Sequence, residues 1–198
     1  LMHYNGKDVE AFDGRETAPA AADEKLFIGA DGKPMQFYDA VVGGRSVGTP
    51  GTLRVLEMAH QQYGKLPWSA LFQPAINLAE NGFKVSARLN TLTQAEQHLK
   101  KDPTAAAYFY QPDGNAVAVG TTLRNPELAA VLKRVAAEGT KAFYEGDIAQ
   151  AIVQKVQSHP SNPGKLSVAD LAGYKPVKRA ALCTDYRAQQ RDYRLCGF

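Results

Sequence analysis

The 198-residue chain is 44% hydrophobic, 22% charged and 9% aromatic, which is ordinary for a soluble protein. It is long enough to form one domain with its own core. Its net charge is only +3, and acidic residues interrupt its most basic stretch, between Lys175 and Arg194, so nucleic acid is not an expected partner. No apolar run approaches the roughly 20 residues that a membrane helix needs, and no signal peptide is visible, so no membrane insertion is expected.

The first 19 residues are predicted to form two strands followed by a charged turn. Leu1–Tyr4 and Val9–Phe12 have strand character and flank Asn5-Gly6, a dipeptide typical of tight hairpin turns. Residues 20–48 are predicted to form a long loop, because glycine, aspartate and proline, which are typical of turns, recur along them. Loops of this length are uncommon within compact domains and are often functional or mobile.

Residues 49–174 are predicted to form a helical region. Thr49-Pro50 is a typical helix start, with threonine at the N-cap and proline at the first helical position. The next helix is predicted to be kinked at Pro74. Further helices are predicted over residues 86–99, 103–109, 126–138 and 147–157.

The β pattern returns over residues 175–198, which are predicted to form a β-hairpin. Just before them, Ser167 followed by Asp170 is typical of a capping arrangement for a short helix. The order of strands, loop, helices and strands predicts an α+β fold that is mostly helical. It suggests a helical region carried on a sheet whose other strands lie outside this chain.

The two cysteines neither require nor exclude an oxidising compartment. If Gln189-Gln190 forms the turn of the predicted hairpin, Cys183 lies opposite Cys196 and a disulfide is geometrically possible. Because this register rests on an assumed turn, two free thiols are the preferred interpretation. The four histidines are scattered, and no Cys-x-x-Cys or His-x-x-x-His spacing occurs, so no metal site is predicted.

No catalytic centre can be recognised from the residues alone. The serines lack a Gly-x-Ser-x-Gly turn, and Gly43–Ser46 lacks the Gly-Lys-Ser/Thr ending of a phosphate loop. Arg15 lies between Asp13 and Glu16, an arrangement typical of a surface arginine paired with an acid. Arginine is also the side chain suited to binding a carboxylate, because its donors form a rigid planar fork.

Several colinear segments resemble one known family. The range Asp13–Pro19 reads Asp-Gly-Arg-Glu-Thr-Ala-Pro, and some thirty residues later Ser46–Thr52 reads Ser-Val-Gly-Thr-Pro-Gly-Thr. Further matching segments are Gln73–Phe83, Phe143–Gly146, Leu166–Tyr174, Asp185–Arg187 and Cys196–Phe198. Together they resemble the large subunit of γ-glutamyltranspeptidase, also called glutathione hydrolase, over nearly the whole chain.

This resemblance implies a fold and a binding residue. Family members are N-terminal-nucleophile hydrolases with a layered αββα core, so residues 1–198 are expected to be a single-domain fragment of that fold. In the family, the arginine of the first motif binds the α-carboxylate of the γ-glutamyl substrate, which implies that role for Arg15. The nucleophilic threonine is expected downstream of this chain, so no catalytic residue is assigned within it, and no metal or cofactor is implied.

The resemblance also implies an activity for the whole protein. Family members cleave the γ-glutamyl amide of glutathione and related compounds and transfer the γ-glutamyl group to water or an amino acid through a γ-glutamyl-threonine intermediate. The expected partners are that substrate and the small subunit of the same precursor, and the expected location is the periplasm or outside the cell. The fragment by itself is expected to be inactive.

Two alternatives stay open at the level of sequence. One is a related acylase of the same superfamily that prefers a glutaryl or cephalosporin side chain, with its discriminating residues outside this chain. The other is a non-catalytic helical binding module. Unpaired edge strands argue against the second alternative, because exposed strand edges are prone to aggregation.

Overall fold

The structure is a computed structural model that describes residues 1–186 and 193–197. The described residues divide into two compact units. The first unit contains residues 1–65 and the described residues from 139 onward, and the second contains residues 66–138. No helix in the described part of the chain is long and apolar enough to cross a membrane.

The described residues are mostly helical with a few short strands, which confirms the predicted α+β class. The strands are β1 (Met2–Tyr4), β2 (Val9–Asp13), β3 (Phe83–Lys84), β4 (Thr122–Leu123), β5 (Val177–Ala180), β6 (Leu182–Tyr186) and β7 (Tyr193–Gly197). The α-helices are α1 (Phe37–Val41), α2 (Thr52–Tyr63), α3 (Gln73–Asn81), α4 (Ala87–Ala95), α5 (Pro103–Phe109), α6 (Pro126–Glu138), α7 (Lys141–Tyr144), α8 (Gly146–Gln157) and α9 (Val168–Gly173). Two 3₁₀ turns cover Trp68–Phe72 and Leu99–Lys101.

Strand β2 is the central strand of an antiparallel sheet in the first unit, in the order β1-β2-β5. The predicted hairpin between β1 and β2 is confirmed, and the side chain of Asn5 accepts two backbone N–H groups within its turn. On its other edge, β2 pairs with β5 so that Asp13 lies opposite Val177. This pairing places residues near the end of the chain beside the charged turn that follows β2.

The core of the first unit lies around α8 and α9. Its buried side chains are Tyr144, Ala149, Val153, Val156, Leu166, Leu171 and Tyr174. The capping arrangement predicted for α9 is confirmed: Ser167 Oγ accepts the N–H of Asp170, whose carboxylate accepts the N–H of Ser167 in return. This short helix is therefore stabilised at its start, and Tyr174 follows directly at its other end.

Residues 20–48, predicted to be a loop, contain the short helix α1 and an isolated bridge between Ile28 and Pro34. The segment around α1 is held by the buried side chain of Asn162, whose Nδ2 donates to the carbonyl oxygens of residues 39, 40 and 42. Asn162 Oδ1 accepts from Arg45 Nε at 2.6 Å. Gly44 lies so close to α8 that an added Cβ would be 1.9 Å from the carbonyl oxygen of Val156. This part of the predicted loop is thus closely packed.

In the second unit, α3 packs against α6 and the preceding 3₁₀ turn. Ile76 and Val135 are buried there, and Trp68 Nε1 donates to the carbonyl oxygen of Val135 at 3.0 Å. The prediction of one helix kinked at Pro74 is wrong, because the 3₁₀ turn ends at Phe72 and α3 starts anew. Proline lacks an N–H, so it is accommodated in the first turn of a new helix.

The region predicted as a β-hairpin over residues 175–198 divides into two parts. Strand β5 joins β2, whereas β6 and β7 pair with each other and place Cys183 opposite Cys196. Cys183 is disulfide-bonded, so the expectation of two free thiols is wrong. Directly opposite residues of an antiparallel pair have Cα atoms within the span of a disulfide. The turn assumed at Gln189-Gln190 lies outside the described residues.

Candidate functional site

Arg15 lies in the turn that follows β2, residues 14–16 (the Arg15 turn), and its side chain is 82% exposed. Its Nε atom is 3.2 Å from Oε1 of Glu16, whose side chain is also exposed. Exposed ion pairs of this kind contribute little to stability, because water screens them and both side chains lose entropy. Glu16 can therefore give way to another carboxylate at small cost.

The backbone of Arg15, unlike its side chain, is held on both sides. Its N–H donates to Oδ1 of Asp13 at 3.0 Å, and its carbonyl oxygen accepts from the hydroxyl of Tyr174 at 2.7 Å. The other oxygen of Asp13 accepts from Nε of Arg179 at 2.7 Å. The Arg15 N–H and the Arg179 guanidinium together lower the pKa of Asp13, so its carboxylate is maintained as an acceptor.

The second half of the same motif is held by residues far along the chain. Thr17 and Thr49 exchange two backbone hydrogen bonds, at 3.2 and 2.8 Å. Directly after the motif, the N–H of Ala20 donates at 2.9 Å to Oδ1 of Asp170, the N3 residue of the α9 capping box. The structure thus brings together Asp13–Pro19, Ser46–Thr52 and Leu166–Tyr174, three segments recognised separately in the sequence.

Two glycines allow this close approach. A Cβ added at Gly14 would lie 2.3 Å from Cγ1 of Val55, and one at Gly51 would lie 2.0 Å from the hydroxyl oxygen of Tyr174. Real Cβ atoms essentially never come so near another heavy atom, so any side chain at either glycine would have to displace its neighbour. The Arg15 turn can rest on α2 and reach Tyr174 only because these two positions have no side chain.

The Arg15 turn borders a cavity of about 830 Å³ in the first unit. A cavity of this volume is within the range of small-molecule sites. Its charged lining residues are Arg15, Arg179, Asp13 and Glu16. The rest is mostly apolar; its lining includes Leu1, Ala11, Phe12, Val55, Leu56 and Leu182. The cavity thus presents arginine donors and apolar side chains to a small ligand.

A second charged cluster lies on the same sheet, around Glu10 of β2. The hydroxyl of Tyr63 donates to Glu10 Oε2, and Lys178 Nζ is 2.6 Å from Glu10 Oε1. His3 stacks on the Tyr63 ring, with 3.8 Å between the ring centroids. The hydrogen bonds from Lys178 and Tyr63 lower the pKa of Glu10, and the bond to Glu10 raises the pKa of Lys178. The polar groups of Glu10, Tyr63 and Lys178 satisfy one another, so the cluster is a structural network that joins α2 to the sheet.

Arg15 was the residue singled out from the sequence, but the residues that hold it were not. Tyr174 falls within the recognised Leu166–Tyr174 segment, yet nothing in the sequence shows that its hydroxyl reaches Arg15. Arg179 appears only as part of a basic stretch. Within the described residues, no group of three histidine, cysteine, aspartate or glutamate side chains could hold a metal ion.

The family model described as gamma-glutamyltranspeptidase matches residues 1–198. The chain belongs to the γ-glutamyltranspeptidase family. It is 40% identical over 189 residues to a glutathione hydrolase of Aspergillus flavus, covering 92% of this chain and 29% of that protein. It is 34% identical over 193 residues to a glutathione hydrolase proenzyme of Bacillus subtilis, covering 96% of this chain and 32% of that protein. The chain therefore spans about a third of the length of the curated relatives that it matches.

The solved structures agree with this family and with the predicted N-terminal-nucleophile hydrolase fold. The γ-glutamyltranspeptidase of Helicobacter pylori matches with a TM-score of 0.88 and 28% identity, over 99% of this chain and 54% of that one. A cephalosporin acylase from Bacillus halodurans matches with a TM-score of 0.77 and 26% identity, over 94% of this chain and 35% of that one. With glutathione hydrolases among the sequence relatives, the acylase alternative is less favoured.

Proposed function

We propose that the protein containing this chain is a γ-glutamyltranspeptidase that cleaves the γ-glutamyl amide of glutathione and related compounds. The γ-glutamyl group is then transferred to water or to an amino acid through a γ-glutamyl-threonine intermediate. Family membership over the whole chain supports this activity. The relatives are about three times longer than this chain, which leaves room outside it for the nucleophilic threonine.

Within that enzyme, the proposed role of Arg15 is to bind the α-carboxylate of the substrate. The observation that carries this role is an 82% exposed guanidinium that borders the cavity while its own backbone is held on both sides. A guanidinium can donate two parallel hydrogen bonds to one carboxylate. Such a grip positions the γ-carbonyl for attack, so Arg15 acts by orientation and not by contact with the reacting bond.

The small subunit cut from the same precursor is the proposed partner of this chain, and the proposed location is the periplasm or outside the cell. The name of the Bacillus subtilis relative, a proenzyme, supports processing of a precursor. The 198-residue chain alone is expected to be inactive, because it is proposed to hold the carboxylate-binding arginine without the nucleophile.

The test is turnover of γ-glutamyl-p-nitroanilide by the whole enzyme and its Arg15 variants. We expect Arg15→Ala to raise KM roughly 10- to 100-fold, the range for losing hydrogen bonds to a charged group. Arg15→Lys is expected to raise KM sharply as well, because an ammonium lacks the planar fork. Arg88→Ala, which removes an exposed arginine of the second unit, is the matched control.

Two results would contradict this proposal. An unchanged KM in Arg15→Ala would remove the binding role from Arg15. Normal processing without any γ-glutamyl turnover, together with hydrolysis of glutaryl-7-aminocephalosporanic acid, would favour the acylase.

A further inference from the structure

Tyr174 is the residue that joins the core of the first unit to the Arg15 turn. It follows α9, is 8% exposed, and donates from its hydroxyl to the carbonyl oxygen of Arg15 at 2.7 Å, across 159 positions of sequence. The bond ends on the backbone of Arg15, so it uses none of the guanidinium donors, of which only Nε faces an acid, the exposed Glu16.

The ring of Tyr174 is itself held in place. It stacks on the fully buried ring of Tyr144, with 6.3 Å between the centroids and 18° between the planes. The Tyr144 hydroxyl donates at 2.7 Å to the carbonyl oxygen of Pro50, and the Arg54 guanidinium lies 4.7 Å from the centre of the same ring. The hydroxyl of Tyr174 is thus presented to Arg15 by a packed aromatic pair.

Gly51 lies beside the Tyr174 hydroxyl that donates to Arg15. A Cβ at Gly51 would lie 2.0 Å from the Tyr174 hydroxyl oxygen and 2.4 Å from the carbonyl oxygen of Gly14. The start of α2, the Arg15 turn and the end of α9 therefore meet at one point. Displacing the Tyr174 hydroxyl would therefore disturb its hydrogen bond to the Arg15 carbonyl oxygen.

The Tyr174 hydroxyl keeps its proton over the pH range in which such an enzyme works. Burial raises the pKa of Tyr174, and the negative charges of Asp13 and Glu16 raise it further. The group consequently acts as a donor to Arg15 and does not compete with it as a second anion.

We propose that Tyr174 is a positioning residue for substrate binding, which acts by holding the backbone of Arg15. This inference rests on the proposed carboxylate-binding role of Arg15. With its N–H bonded to Asp13 and its carbonyl to Tyr174, Arg15 leaves the turn in a defined direction. A fixed backbone limits the positions that the guanidinium can sample, so less entropy is lost on binding and affinity for the substrate rises.

The experiment measures kcat and KM for γ-glutamyl-p-nitroanilide in the whole enzyme with Tyr174→Phe. We expect KM to rise about three- to tenfold with kcat within about twofold, the effect of losing one ordinary hydrogen bond that serves binding. Tyr110→Phe is the matched control. Tyr110 is also 8% exposed and donates to a backbone carbonyl, that of Thr93, at 2.8 Å in the second unit. Its KM is expected to stay unchanged.

A double variant separates positioning from a general loss of structure. In the Arg15→Ala background, Tyr174→Phe is expected to change KM no further, because it acts only through Arg15. Replacing Tyr174 by 4-aminophenylalanine restores an N–H donor and is expected to bring KM back toward the wild-type value. The same variant is measured if Tyr174→Phe is not recovered in folded form, and a raised KM in it would overturn the inference.

The outcomes distinguish this inference from the proposed function. If Arg15→Ala raises KM but Tyr174→Phe does not, the inference is overturned and the role of Arg15 stands. Additive effects of Arg15→Ala and Tyr174→Phe on KM would also overturn the inference. So would a fall in kcat that occurs in both Tyr174→Phe and the control Tyr110→Phe. An unchanged KM in Arg15→Ala contradicts the proposed function itself.

Discussion

Two irregular regions of the first unit use arginine in opposite ways. At the Arg15 turn, the backbone is held and the guanidinium is exposed. In the segment around α1, the Arg45 guanidinium is itself bonded, from Nε to Asn162 Oδ1 at 2.6 Å and from Nη1 to the carbonyl oxygen of Leu26 at 2.8 Å. The difference teaches that an arginine stays accessible to a ligand when its neighbours bind its backbone and only an exposed acid contacts its guanidinium.

The largest expected effect tests whether Asn162 stabilises the segment around α1. Asn162→Ala removes a buried amide that bonds three backbone carbonyls and Arg45. We expect the free energy of unfolding to fall by about 3 kcal/mol, because several buried polar groups lose their partner. Thermal unfolding of the whole enzyme and hydrogen exchange over residues 36–45 provide the measurement.

The control for this variant is Asn115→Ala, which removes an exposed asparagine side chain bonded to Asp113. The KM for γ-glutamyl-p-nitroanilide is expected to stay close to the wild-type value in folded Asn162→Ala. A KM increase as large as that of Arg15→Ala would show that the two regions are not separate in function.

A smaller effect is expected from a methyl group placed between α2 and α9. Gly51→Ala forces its Cβ against the Tyr174 hydroxyl, so we expect a loss of about 1–3 kcal/mol, the usual cost of overpacking. Because Tyr174 must move, KM should rise together with this loss. Thermal unfolding and steady-state kinetics measure both quantities.

Gly173→Ala is the matched control for that substitution. It adds a methyl group beside Tyr174 in sequence, where a Cβ would meet no atom within 4 Å. Its stability and its KM are expected to remain near those of the wild type. If Gly51→Ala leaves KM unchanged while lowering stability, contact with the Tyr174 hydroxyl does not control the Arg15 turn.

The smallest effect concerns the other bond to the Arg15 backbone. The pKa of Asp13 is lowered from its ordinary value of 3.8 by the Arg15 N–H and by Arg179. A lowered pKa in the folded state means that the contribution to stability is present above pH 3.8 and is lost as the pH falls through the lowered value. The difference in unfolding temperature between wild type and Asp13→Asn is therefore expected to shrink below pH 3.8.

Arg179→Gln is the control for the pH experiment, since it removes one partner of Asp13 and keeps the bond to the Arg15 N–H. It is expected to give a smaller difference over the same pH range. A difference between wild type and Asp13→Asn that stays constant down to acidic pH would show that the Asp13 carboxylate does not hold the turn through its charge.

Predictions from sequence succeeded where neighbouring residues determine the structure. The Asn5-Gly6 hairpin and the cap of α9 each depend on groups within a few positions of one another, so the responsible residues are visible together. The prediction of a helix kinked at Pro74 was wrong because proline fits two local structures, a kink or the first turn of a new helix. In this chain Pro74 lies in the first turn of α3, which packs against α6.

The candidate site was predictable only in part. The sequence by itself determined the class of fold, the family motifs and the choice of Arg15, since these follow from local pattern and from colinear resemblance. Only the tertiary structure decided that Cys183 is bonded, that Asn162 holds the segment around α1, and that Tyr174 reaches the Arg15 backbone. The Asn162 and Tyr174 contacts join residues 120 and 159 positions apart and are set by packing, which no short stretch of sequence contains. The state of Cys183 depends on a strand register that the sequence left open.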